Sequence, residues 1–524
     1  MSRIRTILTI LFATHRSSNR TGADRRKIGA GDLLSRVLDT IRFRGAHASR
    51  PVCRPIARAI FMIALAGSPV AGPTVRAQSV TTVPIPVTPA NQPQETSPET
   101  APPGLQSYLG VSPDGWSIFT QSTYIDQWHY GFPAAYSGPE SLQNTTDVEH
   151  TFSYSLFLDR KLWPGGELVY NPEIFQGHGL GQTLGVAGFP NGEAVKAGFP
   201  NLHYNTSRLF YRQVIGLGGE QEKLERDVNQ VGEEVDVNRL AFSIGKFAAN
   251  DFFDGNAYSH DPRTQFMNWS LWESSAWDYP ADIVGFTSGA VVEWNTKNTT
   301  LHYGLLMVSD RPNGIRMDKH LAKAHGQILQ YDYRYQWAGH GGTVRAFVYW
   351  NQADMGNFEL ATEAAATSGS PADIAATRAY RSKVGFGVSW DQKLARDLGA
   401  FARLSWDDGR TESWEFTQVD RSVAAGVNLK GTAWKRPADI FGLGIAFDAL
   451  SPEQRDYLAA GGIGLIIGDG ALRYRTEQIL ETYYAFQALK WLQLSFDYQY
   501  IRNPAYNADR GPVPVYAVRA HVQF

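Results

Sequence analysis

The sequence predicts an all-β chain, a transmembrane antiparallel β-barrel of about sixteen strands with long extracellular loops and an inward-folded third loop. Three observations carry that expectation. From Trp116 onward, about sixteen stretches of ten or more residues alternate apolar and polar side chains with a period of two, the pattern of a strand with unlike faces. The connections between them alternate short and long, as they do in a barrel threaded through a bilayer. Composition agrees: 50 glycines and 12% aromatics suit turns and interfacial girdles, while one Cys and six Met leave little for metal or redox chemistry.

Taken in order, the chain divides into residues 1–77, 78–103 and 104–524. The first segment carries 14 Lys and Arg but only Asp24, Asp32 and Asp39 as acids. Arg50, Arg54 and Arg58 precede the apolar run 59–66, and Val75-Arg76-Ala77 offers a small-residue cleavage site, so the segment reads as an N-terminal extension with a secretory signal peptide. The run is too short to span a bilayer as a helix; an N-terminal helical anchor is the alternative. Cleavage after Ala77 leaves 35 of the 49 basic and 48 of the 51 acidic residues, a net charge of −13, which argues against nucleic acid as a partner. It also removes Cys53, so the secreted chain has no disulfide to rely on. Segment 78–103 holds Pro84, Pro86, Pro89, Pro93, Pro98, Pro102 and Pro103 among Thr, Gln and Glu, a stiff linker or a disordered tail.

The expected strands are 116–128, 148–163, 166–176, 203–216, 237–249, 283–294, 299–309, 326–337, 341–352, 380–393, 396–407, 420–431, 438–450, 472–488, 490–501 and 513–524. The clearest places Leu329, Tyr331, Tyr333, Tyr335 and Trp337 on one face and Gln330, Asp332, Arg334 and Gln336 on the other. A soluble sandwich buries an aliphatic face; this apolar face ends in rings, as a lipid-facing strand does. Long connections fall at 129–147, 177–202, 250–282, 310–325, 353–379, 408–419, 451–471 and 502–512. One segment breaks the alternation: 217–236 is long and charged where a short turn belongs. Within the seventh long loop, Ser451-Pro452-Glu453-Gln454 predicts a capped helix start and Gly461-Gly462 its end.

The third long loop, 250–282, interleaves Trp269, Trp272, Trp277 and further rings with Asp251, Asp254, Asp261, Asp278, Asn256, His260 and Arg263. A pyranose lays its C–H face on an aromatic ring and bonds its hydroxyl rim to carboxylates and guanidinium groups. The stretch therefore either lines a sugar-sized passage or packs its rings under the adjoining sheet. Since sixteen strands leave a wide aqueous hole, a loop folding inward is where selectivity would be set. Alternation puts Arg239, Asp332, Arg334, Arg345, Arg381, Lys383, Arg403, Asp407 and Arg519 on the lumen face. Guanidinium groups opposite the loop carboxylates would offer sugars donors and acceptors; ordinary lumen ion pairs are the alternative.

Catalysis has no local signature. Acid pairs such as Asp251 with Asp254 could serve a glycosidase, but there is no Gly-x-Ser-x-Gly, His-Glu-x-x-His or phosphate-cradling loop. No metal-ligand spacing or calcium loop appears, and no cofactor is expected. A plugged adhesion barrel would need more chain before the first strand.

The stretches Gly245-Lys246-Phe247, Asn250-Asp251-Phe252-Phe253-Asp254, His260-Asp261-Pro262-Arg263-Thr264-Gln265-Phe266 and Ala276-Trp277-Asp278-Tyr279-Pro280-Ala281-Asp282 together resemble the carbohydrate-selective porins of the OprB type from Gram-negative outer membranes. Asn503-Pro504-Ala505-Tyr506-Asn507, Asp509-Arg510-Gly511-Pro512 and terminal Phe524 match as well, so the likeness runs over 104–524. The Asp-Trp-Gly-Gly that often opens the mature domain is missing before Leu105. The resemblance implies a sixteen-stranded outer-membrane barrel passing glucose-like monosaccharides by diffusion, with Phe524 read by the barrel-assembly machinery. A porin without sugar preference is the alternative function, and the sequence leaves monomer or homotrimer open.

Overall fold

The computed structural model describes residues 115–194 and 198–524. The leader and linker readings, 1–77 and 78–103, lie outside the described residues. Sixteen antiparallel strands close into one barrel: β1 (Trp116–His129), β2 (Asp147–Trp163), β3 (Gly166–Gly177), β4 (Phe199–Gly216), β7 (Arg239–Phe247), β8 (Thr287–Asn295), β9 (Thr299–Leu306), β10 (His325–Trp337), β11 (His340–Met355), β12 (Ala379–Ala395), β13 (Leu398–Asp407), β14 (Arg421–Gly431), β15 (Arg436–Ala449), β16 (Glu477–Leu489), β17 (Leu492–Arg502) and β18 (Val513–Gln523). Each pairs with its chain neighbour, and β1 closes on β18 with Gln121 opposite Gln523 and Ile125 opposite Arg519. At that seam Thr120 and Phe524 exchange both backbone hydrogen bonds, at 3.0 and 2.9 Å, and the Phe524 ring stacks on Trp491. Closure leaves the barrel itself no edge strand.

The period-two pattern maps onto the two faces. On β10, Leu329, Tyr331 and Tyr333 are 44–49% exposed while Gln330, Asp332 and Arg334 are 0–8% exposed. In an outer-membrane barrel the exposed rings face lipid, and the buried polar groups face the lumen. The inversion of the soluble rule follows from solvent: here the outside is hydrocarbon.

The break at 217–236 is a separate two-stranded hairpin, β5 (Gln221–Leu224) with β6 (Glu233–Asp236), at the end of the barrel that carries the termini. Apart from it, the connections at that end are short and those at the other end are long. Three expected strand starts shift: the fourth begins earlier, at Phe199, and those beginning at 283 and 472 begin at Thr287 and Glu477. Strand β8 starts later because Asp282 first turns the chain, accepting backbone hydrogen bonds from Val284 and Phe286.

Helix α1 (Trp269–Trp272) is one turn within the third long loop. The fifth long loop carries α2 (Phe358–Ser368), which the strand pattern did not reveal; Asn357 caps its start by accepting from the Leu360 N–H, and Gly369 ends it at φ 69°. Helix α3 (Pro452–Ala459) starts as its sequence predicts, with Ser451 Oγ accepting from the Gln454 N–H at 3.1 Å. The two pack through Phe358 and Tyr457, ring centroids 5.1 Å apart.

Candidate functional site

The third long loop folds into the barrel and is held by strands from β4 round to β18. Phe266 meets Phe401 and Tyr483 at centroid distances of 5.3 and 5.0 Å, so the loop's underside rests on β13 and β16. Lumen carboxylates take up its backbone donors: Glu481 accepts from the N–H groups of Met267 (2.6 Å) and Asn268 (2.9 Å), and Asp448 accepts from Ser270 Oγ (2.6 Å). Each such bond contributes roughly 0.5–1.5 kcal/mol net. These bonds act together with apolar packing, since Phe252, Phe253, Trp269, Trp272, Trp277 and Tyr279 of the loop are buried in one cluster.

Four of the ten loop residues singled out by sequence are anchors of this kind. Asp254 is fully buried at φ 55°, accepts from Ser274 N (2.6 Å) and Oγ (2.8 Å), and lies 3.4 Å from Arg403 Nε. Asn256 donates to Ser389 Oγ and Trp390 O on β12, both at 3.1 Å. Asp278 accepts from the backbone of Trp414 (2.9 Å) and Glu415 (3.1 Å) and pairs with Lys383 at 3.5 Å. Trp277 is 2% exposed and packs on Tyr279 of the loop and on Phe347 of β11, under the loop.

The other six, Asp251, His260, Asp261, Arg263, Trp269 and Trp272, all line one cavity of about 170 Å³. Its opposite wall comes from β2 to β4 and the second long loop, through Ser153, Glu173, Glu193 and Arg208. Arg208 holds Asp251 with two hydrogen bonds, Nε to Oδ2 at 2.7 Å and Nη2 to Oδ1 at 2.6 Å. Arg263 bridges Glu173 (3.0 Å) and Glu193 (2.8 Å) across the passage. Burial works against the Arg263 guanidinium, but Glu193, Glu173 and Asp261 together hold its pKa above the ordinary arginine value. On the loop side, Trp269 and Trp272 meet edge to face at 4.9 Å. Their Nε1–H groups and His260 Nδ1 are buried without a hydrogen-bond partner among the described residues. Asp261 also lines a second cavity of about 270 Å³ towards the terminal end, and so marks the neck between the two.

The wall residues Glu173 and Arg208 are absent from the candidates named by sequence, yet both sit in expected strands, where alternation with Asn171 and Phe210 assigns them inward. Glu193, in the irregular second loop, had no such signal.

The expected lumen charges do point inward, but most are spent on other protein groups. Arg403 donates to Leu271 O (2.8 Å) and Asp254 O (3.2 Å), and Arg519 to Pro262 O (2.6 Å) and Gln265 O (2.9 Å), so both clamp the loop. Arg345 bridges Asp391 and Asp332, and Asp332 also pairs with His302. Arg334 donates to Thr300 Oγ1 and Thr296 O, Arg381 to Met355 O and Thr377 O, and Arg239 to Glu222. Lys383 lies 3.8 Å from Asp407. None of these lines the 170 Å³ cavity. Among the described residues, no group of His, Cys, Asp and Glu could hold a metal ion.

Burial, with Arg403 nearby, depresses the His260 pKa from 6.5 to about 4. Between those values the unfolded chain binds a proton that the folded loop does not, so stability falls as pH drops from 6.5 towards 4. Acidification from pH 7 to pH 5 is expected to loosen the loop, seen as larger open-channel current fluctuations, and His260→Gln is expected to reduce that pH dependence.

A family model described as carbohydrate-selective porin, OprB family, matches residues 140–524. Among solved structures, the chain is similar to the high-pH structure of Pseudomonas putida OprB, at 16% identity over 80% of this chain and 96% of that one, with a TM-score of 0.60. The outer membrane channel DcaP of Acinetobacter baumannii aligns at 12% identity over 79% of this chain and 99% of that one, with a TM-score of 0.45. No curated protein matches the sequence. With its family model matched from the first long loop to Phe524 on a closed sixteen-stranded barrel, the chain belongs to the OprB family of carbohydrate-selective porins, channels of the Gram-negative outer membrane.

Proposed function

We propose that this channel passes monosaccharides by passive diffusion and discriminates among them at the 170 Å³ cavity between the third loop and the β2 to β4 wall. One observation carries the reading. The Trp269 and Trp272 rings line a cavity faced by the Arg208–Asp251 and Arg263–Glu173–Glu193 clusters. Apolar rings on one side and paired charges on the other suit a solute with one C–H face and a hydroxyl rim. Two arginines, Arg208 and Arg263, face four carboxylates, Asp251, Asp261, Glu173 and Glu193, so the lining is net negative and favours a neutral sugar over an acidic one. Weak binding fits the task, because a solute must also leave.

The test is single-channel current through the refolded protein in a planar bilayer, titrated with glucose and separately with an acidic sugar. Block by glucose at millimolar levels, stronger than by the acid, is expected. Indifference to both would leave a porin without sugar preference, and stronger block by the acid would reverse the charge assignment. Phe524 pairs with Thr120 at the β1–β18 seam and stacks on Trp491, which supports reading Phe524 as the assembly signal.

A further inference from the structure

The hairpin at 217–236 has no place in a barrel whose other terminal-end turns are short. Leu217 N donates to Asn238 O at 2.9 Å, so β4 and β7 are already joined at the hairpin's base and residues 218–237 form an excursion that the barrel does not require. Its tip is the turn from Asp227 to Gln230, whose backbone groups bond in both directions at 3.2 Å, with Asn229 at φ 59°, a conformation that Asn tolerates.

That tip does not hang free of the barrel. Val228 packs against Phe119 and Phe157, opposed residues of β1 and β2 on the lumen face. Arg212 of β4 donates to Asn229 O (3.1 Å), Val231 N donates to Glu167 Oε2 (3.0 Å), and Ser117 Oγ donates to Asp227 O (3.2 Å). Arg212 and Glu167 are themselves ion-paired at 2.5 Å, and Lys161 holds Glu233 at 2.5 Å. The space between the excursion and the wall is about 30 Å³, room for roughly one water molecule. Asp227 and Val228 also line the 270 Å³ cavity, whose lining includes Asp261 and Gln265 of the third loop and Asn428 and Gln493 of the barrel wall.

We propose that the turn Asp227–Gln230 is a second constriction, in series with the loop neck at Asp261, and that it sets the size limit at the periplasmic exit of the channel. The inference concerns width, so it stands whichever solute passes. Two barriers in series divide the electrical resistance between them, and removing one lowers the total without altering binding at the other.

The experiment replaces residues 218–237 with Asn-Gly, a two-residue turn that suits the paired ends of β4 and β7. Folding is checked by heat-modifiable migration on a denaturing gel. Open-channel conductance is expected to rise by about twofold or more, with the sugar block constant unchanged. A folded variant with unchanged conductance overturns the proposal. A second variant decides the matter if the first does not fold: Asp227→Cys, with Cys53→Ser to leave one thiol, treated from the periplasmic side with a bulky charged methanethiosulfonate. Modification is expected to cut the current by at least about half. Complete modification without a current change overturns the proposal, and so does failure to react, since a side chain on the ion path is reachable from bulk water.

Discussion

Trp272→Ala is expected to weaken block by a neutral sugar roughly tenfold while open conductance changes little, measured as the block constant in single-channel titrations. The indole lines the upper cavity beside Trp269. A ring face in contact with the sugar is worth on the order of 1.4 kcal/mol, a factor of ten in affinity. The site makes room for this ring deliberately: a Cβ on Gly192 would lie 2.2 Å from Trp272 Nε1. Trp277→Ala is the control and should behave in the opposite way. Its ring packs under the loop against Phe253, Tyr279 and Phe347, so truncation costs about 3–5 kcal/mol of packing and should disturb conductance before it disturbs binding. Equal effects from the two variants would mean that the upper cavity is not the binding site.

How much of this was readable beforehand depends on how far away each residue's partner lies. Leu329 to Trp337 showed its faces because a bilayer demands apolar side chains outward at every second position, a constraint local to the strand. The capped start at Ser451 was local too, since the N-cap and its donor are three residues apart. The mixture of charges and rings in 250–282 was visible, but its division into anchors and lining was not. Asp254 finds Arg403, and Asp278 finds the backbone of Trp414, more than a hundred residues along the chain. Nothing near either carboxylate distinguishes it from Asp251 or Asp261, which face the passage. The lumen arginines illustrate the same limit: alternation gives the direction of Arg403 and Arg519, while their role as clamps depends on a loop folded back from elsewhere. Helix α2 was obscured for another reason. Its short Ala-rich stretch has a weak apolar stripe, and only Asn357 and Gly369 at its ends mark it.

Asp254→Ala is expected to release the third loop and raise open-channel conductance, with a barrel that still folds. The carboxylate is fully buried and binds both the N–H and the hydroxyl of Ser274, closing the loop on itself, while Arg403 reaches it from β13 at 3.4 Å. Removing one partner of a buried ion pair costs about 3–5 kcal/mol, because the surviving charge is stranded in a poorly hydrated place. Burial, with Asp254 close by, also raises the pKa of neighbouring Glu273 well above its ordinary value, so removing Asp254 alters the protonation of that group as well. The penalty falls on the loop and not on the sheet, since the β13 backbone ladders to β12 and β14 do not involve either side chain. A loop set free inside a pore can swing from the neck or flicker across it, so the readout is twofold: a larger mean conductance and greater current noise. Asp254→Asn keeps the shape and an acceptor for Ser274 but loses the charge opposite Arg403, and should fall between the two. Wild-type conductance in the Ala variant would mean that the lumen carboxylates Glu481 and Asp448 hold the loop unaided, and the effect should then appear only when Glu481→Gln is added.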